Sequence, residues 1–81
     1  MAVTLFEIPV GATATVERIL ADGEIGRRIR EMGVLRGATV TVERVAPLGD
    51  PIEVRIRGYR LSLRKQEAEG ILVTPLQADI S

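Results

Sequence analysis

Ile52-Glu53-Val54-Arg55-Ile56-Arg57-Gly58-Tyr59-Arg60-Leu61-Ser62-Leu63-Arg64 is the stretch on which the fold turns. Ile52, Val54 and Ile56 alternate with Glu53, Arg55 and Arg57, and after Gly58 the residues Leu61 and Leu63 alternate with Arg60, Ser62 and Arg64. A period of two on both sides of a glycine predicts a β-hairpin with one buried face. Glycine at the first loop position suits a type II′ turn, so Gly58-Tyr59 is taken as a two-residue loop. That register sets Arg57 opposite Arg60, Ile56 opposite Leu61, Arg55 opposite Ser62, Val54 opposite Leu63 and Glu53 opposite Arg64. Apolar side chains then meet at every core position. Arg57 facing Arg60 is a like-charge pair that costs on the order of a few tenths of a kcal/mol.

Upstream, residues 12–19 and 39–45 carry the same alternation, with Ala14, Val16, Val40 and Val42 on the apolar side. Downstream, Ile71-Leu72-Val73-Thr74 forms a last short run that stops at Pro75. Turn signals at Gly11, Gly37, residues 47–51, Gly58 and Gly70 separate the runs. Five short strands, each with one buried face, predict a mainly β fold closed into a small barrel. One segment breaks the period. Ile25, Ile29 and Met32 recur at helical spacing between strands one and two, with Asp22 placed to cap the N-terminus through its carboxylate and Gly33 to stop the helix. Gly26 weakens that helix interior by roughly 1 kcal/mol relative to Ala, so the helix must lean on packing. Residues 65–69, closed by Gly70, predict one helical turn before the last strand.

Length and composition bound the function. Eighty-one residues make one domain, expected over residues 1–75 with a tail at 76–81. The chain has no Cys and no His, which removes disulfides, thiolate or imidazole metal ligands and Ser-His or Cys-His relays. So small a fold leaves little room for a water-excluding cleft, and the expectation is a protein that is not an enzyme and carries no cofactor or metal. Glu24, Glu31, Glu67 and Glu69 show no calcium-loop spacing and read as surface charge. No apolar run approaches the ~20 residues of a membrane span and no charged-then-apolar leader opens the chain, so a cytoplasmic location is expected.

Eleven basic residues balance eleven acidic ones, yet residues 55–65 hold Arg55, Arg57, Arg60, Arg64 and Lys65 with no acid among them, and Arg27, Arg28 and Arg30 cluster on the helix. A solvated sheet face and helix surface is the plainer reading of these clusters, and an anionic partner, acidic protein or nucleic acid, is the sharper one. Nucleic acid is disfavoured by the neutral total and by the presence of only Phe6 and Tyr59 for stacking. A second candidate contact is apolar: Met32 and Val34 with Leu48 of the 46–48 loop, although Met32 and Val34 also suit a plug for one end of the barrel.

The run from Ala46 to Arg64 closely resembles the hairpin signature of ferrous iron transport protein A, the FeoA family, and residues 27–34 resemble its helix and the Met/Leu-Gly-hydrophobic turn that follows. Arg36 stands where many members carry Pro. The resemblance runs from about Val3 to Thr74 and implies an SH3-like barrel acting as a cytosolic accessory of ferrous iron uptake. It also implies contact with FeoB, a membrane permease with a cytosolic G-protein domain, so that the chain would meet the membrane only through its partner. The family brings no catalytic or metal-binding residue to carry over. Related SH3-like domains close metal-responsive repressors of the diphtheria-toxin type, which leaves a regulatory module of such a repressor as the alternative. Oligomeric state stays open. The partner-binding candidates are therefore Arg55, Arg57 and Arg60 of the hairpin with Met32, Val34 and Leu48. Anaerobic titration with Fe²⁺ is expected to show no stoichiometric sub-micromolar binding; a stoichiometric site would mean that the carboxylates converge after all.

Overall fold

A computed structural model describes residues 2–76, so residues 77–81 of the expected tail lie outside the described residues. The element order is β1 (Val3–Thr4), a 3₁₀ turn (Leu5–Glu7), β2 (Thr13–Ile19), α1 (Gly23–Glu31), β3 (Thr39–Val45), β4 (Ile52–Ile56), β5 (Tyr59–Leu63), α2 (Lys65–Glu69) and β6 (Ile71–Pro75). The five expected strands are present together with a two-residue β1 that pairs Val3 with Val73 and Thr4 with Leu72. Two residues are too few to show a period, which is why the sequence hides this strand. All strands join in one antiparallel sheet ordered β1-β6-β2-β3-β4-β5.

The sheet curls around a core in which Val16, Val40, Val42, Val54, Leu63 and Val73 are buried. Of the helical stripe, Ile29 is buried and Met32 half-buried, but Ile25 is exposed, because α1 turns Gly26 and not Ile25 toward the barrel. A Cβ on Gly26 would collide with the carbonyl oxygen of Ala21, so the poor helix former is required by close packing. Asp22 does occupy the N-cap position in extended conformation, yet its carboxylate makes no capping bond. Gly33 ends the helix with φ +92°, as its lack of a side chain permits. Glu67 of α2 is buried; its Oε1 accepts the Arg64 N–H at 2.8 Å and its Oε2 lies 3.7 Å from Arg28 of α1, so one carboxylate caps one helix and tethers the other.

The hairpin differs from the expected register. Ile52 pairs with Leu63, Glu53 with Ser62, Val54 with Leu61, Arg55 with Arg60 and Ile56 with Tyr59. The loop is Arg57-Gly58, with φ of 52° and 87°, the two positive values of a type I′ turn. The slip is two residues, so every side chain keeps its face and apolar still meets apolar. Hydrophobic pattern alone does not separate these two registers. The like-charge neighbours are accordingly Arg55 and Arg60, and Arg57 moves to the hairpin tip.

A non-glycine residue in the left-handed region costs about 1–2 kcal/mol, with Asn among the tolerated exceptions. Arg57→Asn should therefore raise stability by about 0.5–1 kcal/mol in urea denaturation, since Asn-Gly is the favoured type I′ pair. A loss of stability would place residue 57 in an extended strand, where Asn is disfavoured, and would support the other register.

Candidate functional site

Two bulges shape the surface. In β3 the register shifts between Val42 and Arg44, and in β2 between Val16 and Arg18, leaving Glu43 and Glu17 as the extra residues. A bulge re-aims the side chain it inserts. Glu43 is thereby set against the hairpin's arginines: its Oε2 accepts from Arg55 Nε at 2.9 Å and its Oε1 lies 3.3 Å from Arg60 Nε. Arg44 lies 3.5 Å from Glu53, and Arg64 3.7 Å from Asp50. The hairpin face is thus a network of half-exposed ion pairs, each worth about 0–1 kcal/mol, and not a bare basic patch.

Of the six residues expected to meet a partner, Arg55 and Arg60 come together on one carboxylate and Arg57 stands apart at the tip. Val34 is 2% exposed and belongs to the core, so it offers no contact surface. Met32 is half-buried, and its carbonyl accepts the Tyr59 hydroxyl at 2.7 Å, which ties the hairpin tip to the end of α1. Leu48 is 95% exposed but sits in the β3–β4 loop, at the end of β4 remote from Tyr59, about 15 Å along the strand. The expected apolar patch is therefore not one surface. Phe6 has Lys65 Nζ 5.3 Å from its ring centroid, and the Tyr59 hydroxyl is committed to Met32, so neither aromatic is an open stacking platform. Among the described residues no three His, Cys, Asp or Glu side chains converge on a metal-sized site, and no helix is long and apolar enough to cross a membrane.

A groove of about 650 Å³ lies instead where β2 parts from β3. Glu17, Arg18 and Ile19 of β2, Arg30 of α1, Val34, Leu35 and Arg36 of the following turn and Leu72 of β6 line it. Its one carboxylate, Glu17, accepts a 2.7 Å hydrogen bond from the Thr74 hydroxyl. Arg30 belonged to the basic cluster visible in sequence, but Arg18 and Arg36 lie 12 and 6 residues away from it and meet it only through the chain reversal. The signal that could have found them is the alternation itself: Arg18 follows Glu17 and precedes Ile19 where a strict period of two falters.

The FeoA domain model matches residues 3–75. A curated Fe(2+) transport protein A/Fe(2+) transporter FeoB fusion protein of Porphyromonas gingivalis is 42% identical over 69 residues, which is 85% of this chain and 8% of that protein. A FeoA-like protein from Clostridium acetobutylicum superimposes with a TM-score of 0.90 at 40% identity, covering 99% of this chain and 93% of the other. Stenotrophomonas maltophilia FeoA, solved with zinc and described as a procaryotic SH3 domain protein, gives 0.76 at 35% identity over 86% and 87% of the two chains. A manganese-dependent transcriptional repressor shares the fold at a TM-score of 0.85 and 28% identity, with this chain spanning 41% of it. The barrel is therefore SH3-like.

The Glu43 carboxyl is held below its ordinary value of 4.5, first by the Arg55 hydrogen bond and then by the charges of Arg55 and Arg60, against an opposing effect of burial. A carboxyl whose folded value is lowered contributes stability above its unfolded value and loses it as pH falls through the folded one. Glu43→Gln should therefore destabilise the protein at neutral pH and make little difference well below pH 4.5. An equal effect at both pH values in urea denaturation would show that the ion pairs contribute nothing.

Proposed function

The chain belongs to the FeoA domain family, and from that premise we propose that it is a non-catalytic accessory of ferrous iron uptake that works by binding the cytosolic portion of a FeoB-type permease. The observation that carries this reading is the Porphyromonas gingivalis relative, in which a matching segment and a FeoB transporter share one chain. Fusion holds two modules at an effective concentration that reaches millimolar for short linkers, an arrangement suited to partners that must meet. This chain spans 8% of that relative's length.

The chemistry of the chain agrees with a binding role. The carboxylates Glu24, Glu43, Asp50, Glu53 and Glu67 are each within 4 Å of an arginine, and the absence of His and Cys leaves no ordinary nucleophile–base pair. The fold likeness to a manganese-dependent repressor supports the alternative of a regulatory module. That alternative asks for DNA-reading helices elsewhere, since α1 packs Gly26 and Ile29 onto the barrel and α2 spans five residues.

Isothermal titration of the protein with the purified cytosolic portion of the FeoB-type permease from the same organism tests the proposal. Saturable binding that weakens with added salt is expected. Heat no greater than that of dilution, with both proteins folded, would contradict it.

A further inference from the structure

The chain's charge is balanced in number but not in space. Of its ten arginines, Arg27, Arg28, Arg44, Arg55, Arg60 and Arg64 each lie within 4 Å of a carboxylate. The remaining four are Arg18, Arg30, Arg36 and Arg57, which have no such partner among the described residues. Three of those four converge on the groove beside β2. The one carboxylate lining that groove, Glu17, accepts from the Thr74 hydroxyl and keeps its charge, so three cations face one anion. Three arginines from three different elements against one glutamate leave the groove net positive, and no ion pair within 4 Å holds those arginines in the free protein.

We propose that this groove is the docking site for an extended acidic segment that also carries apolar side chains; under the function proposed above, on which this rests, the permease's cytosolic portion supplies it. Three features specify the occupant. Charge calls for carboxylates, which Arg binds in paired, planar hydrogen bonds. The apolar lining of Ile19, Leu35 and Leu72, with Leu35 48% exposed, calls for aliphatic side chains between them. Beyond Val16, residues 17–19 of β2 have no β3 residue opposite them, so the groove runs along a strand that ends its pairing on that side and suits an extended chain.

A compact anion such as phosphate fits less well. Arg30 stands in the last turn of α1, whose exposed carbonyls give that end partial negative charge, and no helix N-terminus points into the groove. Nucleic acid fits less well again, because no aromatic side chain lines the groove.

The test is amide-resolved NMR of the ¹⁵N-labelled full chain titrated with the permease's cytosolic portion, repeated with Arg30→Glu/Arg36→Glu, with the milder Arg36→Gln, and with Arg44→Glu as a surface control. Shifts centred on Arg18, Leu35 and Leu72, an affinity lowered about a hundredfold by the double reversal, a smaller loss for Arg36→Gln and none for Arg44→Glu are expected. Shifts elsewhere with groove variants binding as tightly as wild type would overturn the groove and leave the permease reading standing. No binding by the wild-type chain would overturn both. The same groove shifts saturating with inorganic phosphate or GTP alone would replace the acidic segment with a small anion.

Discussion

The ladder between β2 and β3 stops after Thr13, Ala14 and Thr15, and two hydrogen bonds close it: Val16 N–H to Ala38 O and Gly37 N–H to Val16 O, each 2.8 Å. Everything beyond depends on that stop. β2 stays bonded to β6 along its length, so the sheet cannot continue on the β3 side and the chain must cross the gap with α1 and the turn after it. Ile29 and Val34 fill the opening as core residues; Gly26 lets α1 approach the Ala21 carbonyl, and Gly33 leaves room for the Tyr59 hydroxyl. What the core does not fill on the outside is the groove.

Apart from the two-residue β1, the strands and α1 were legible because each buries one face, and burial writes itself as a period of two or of about three and a half. Register was not. The observed and expected hairpins differ by two residues, and an even slip leaves Val54 and Ile56 opposite apolar partners in both. What separates them is the backbone at Arg57, where a positive φ is imposed on a residue type that gives no hint of it. The bulges at Glu17 and Glu43 were hidden for a related reason: one extra residue in a strand looks like ordinary sequence until its partner strand is known.

Those two bulges decide the surface. Glu43 lies on a third strand, 12 residues before Arg55, so a hairpin considered alone shows clustered arginines and misses the acid that binds two of them. Arg57 retains the exposure the sequence suggested, whereas Val34 is core and Leu48 is solitary. The surface left with unsatisfied charge is assembled from β2, α1 and the turn after it, a combination that only the chain reversal produces. Charge that does not stabilise the free fold but awaits an acidic partner favours rapid, salt-sensitive encounter and correct orientation over raw stability.

If the chain supports ferrous iron uptake through contact made by the groove, iron entry should track the charge of that groove. The most direct measurement is the rate of ⁵⁵Fe²⁺ uptake, under reducing conditions, by cells of the source organism deleted for this chain and complemented with defined variants at matched protein levels. Deletion is expected to slow uptake, wild type and Arg44→Glu to restore it, and Arg18→Glu/Arg30→Glu/Arg36→Glu to fail to restore it. Full restoration by the triple reversal, or uptake undiminished by the deletion, would contradict it.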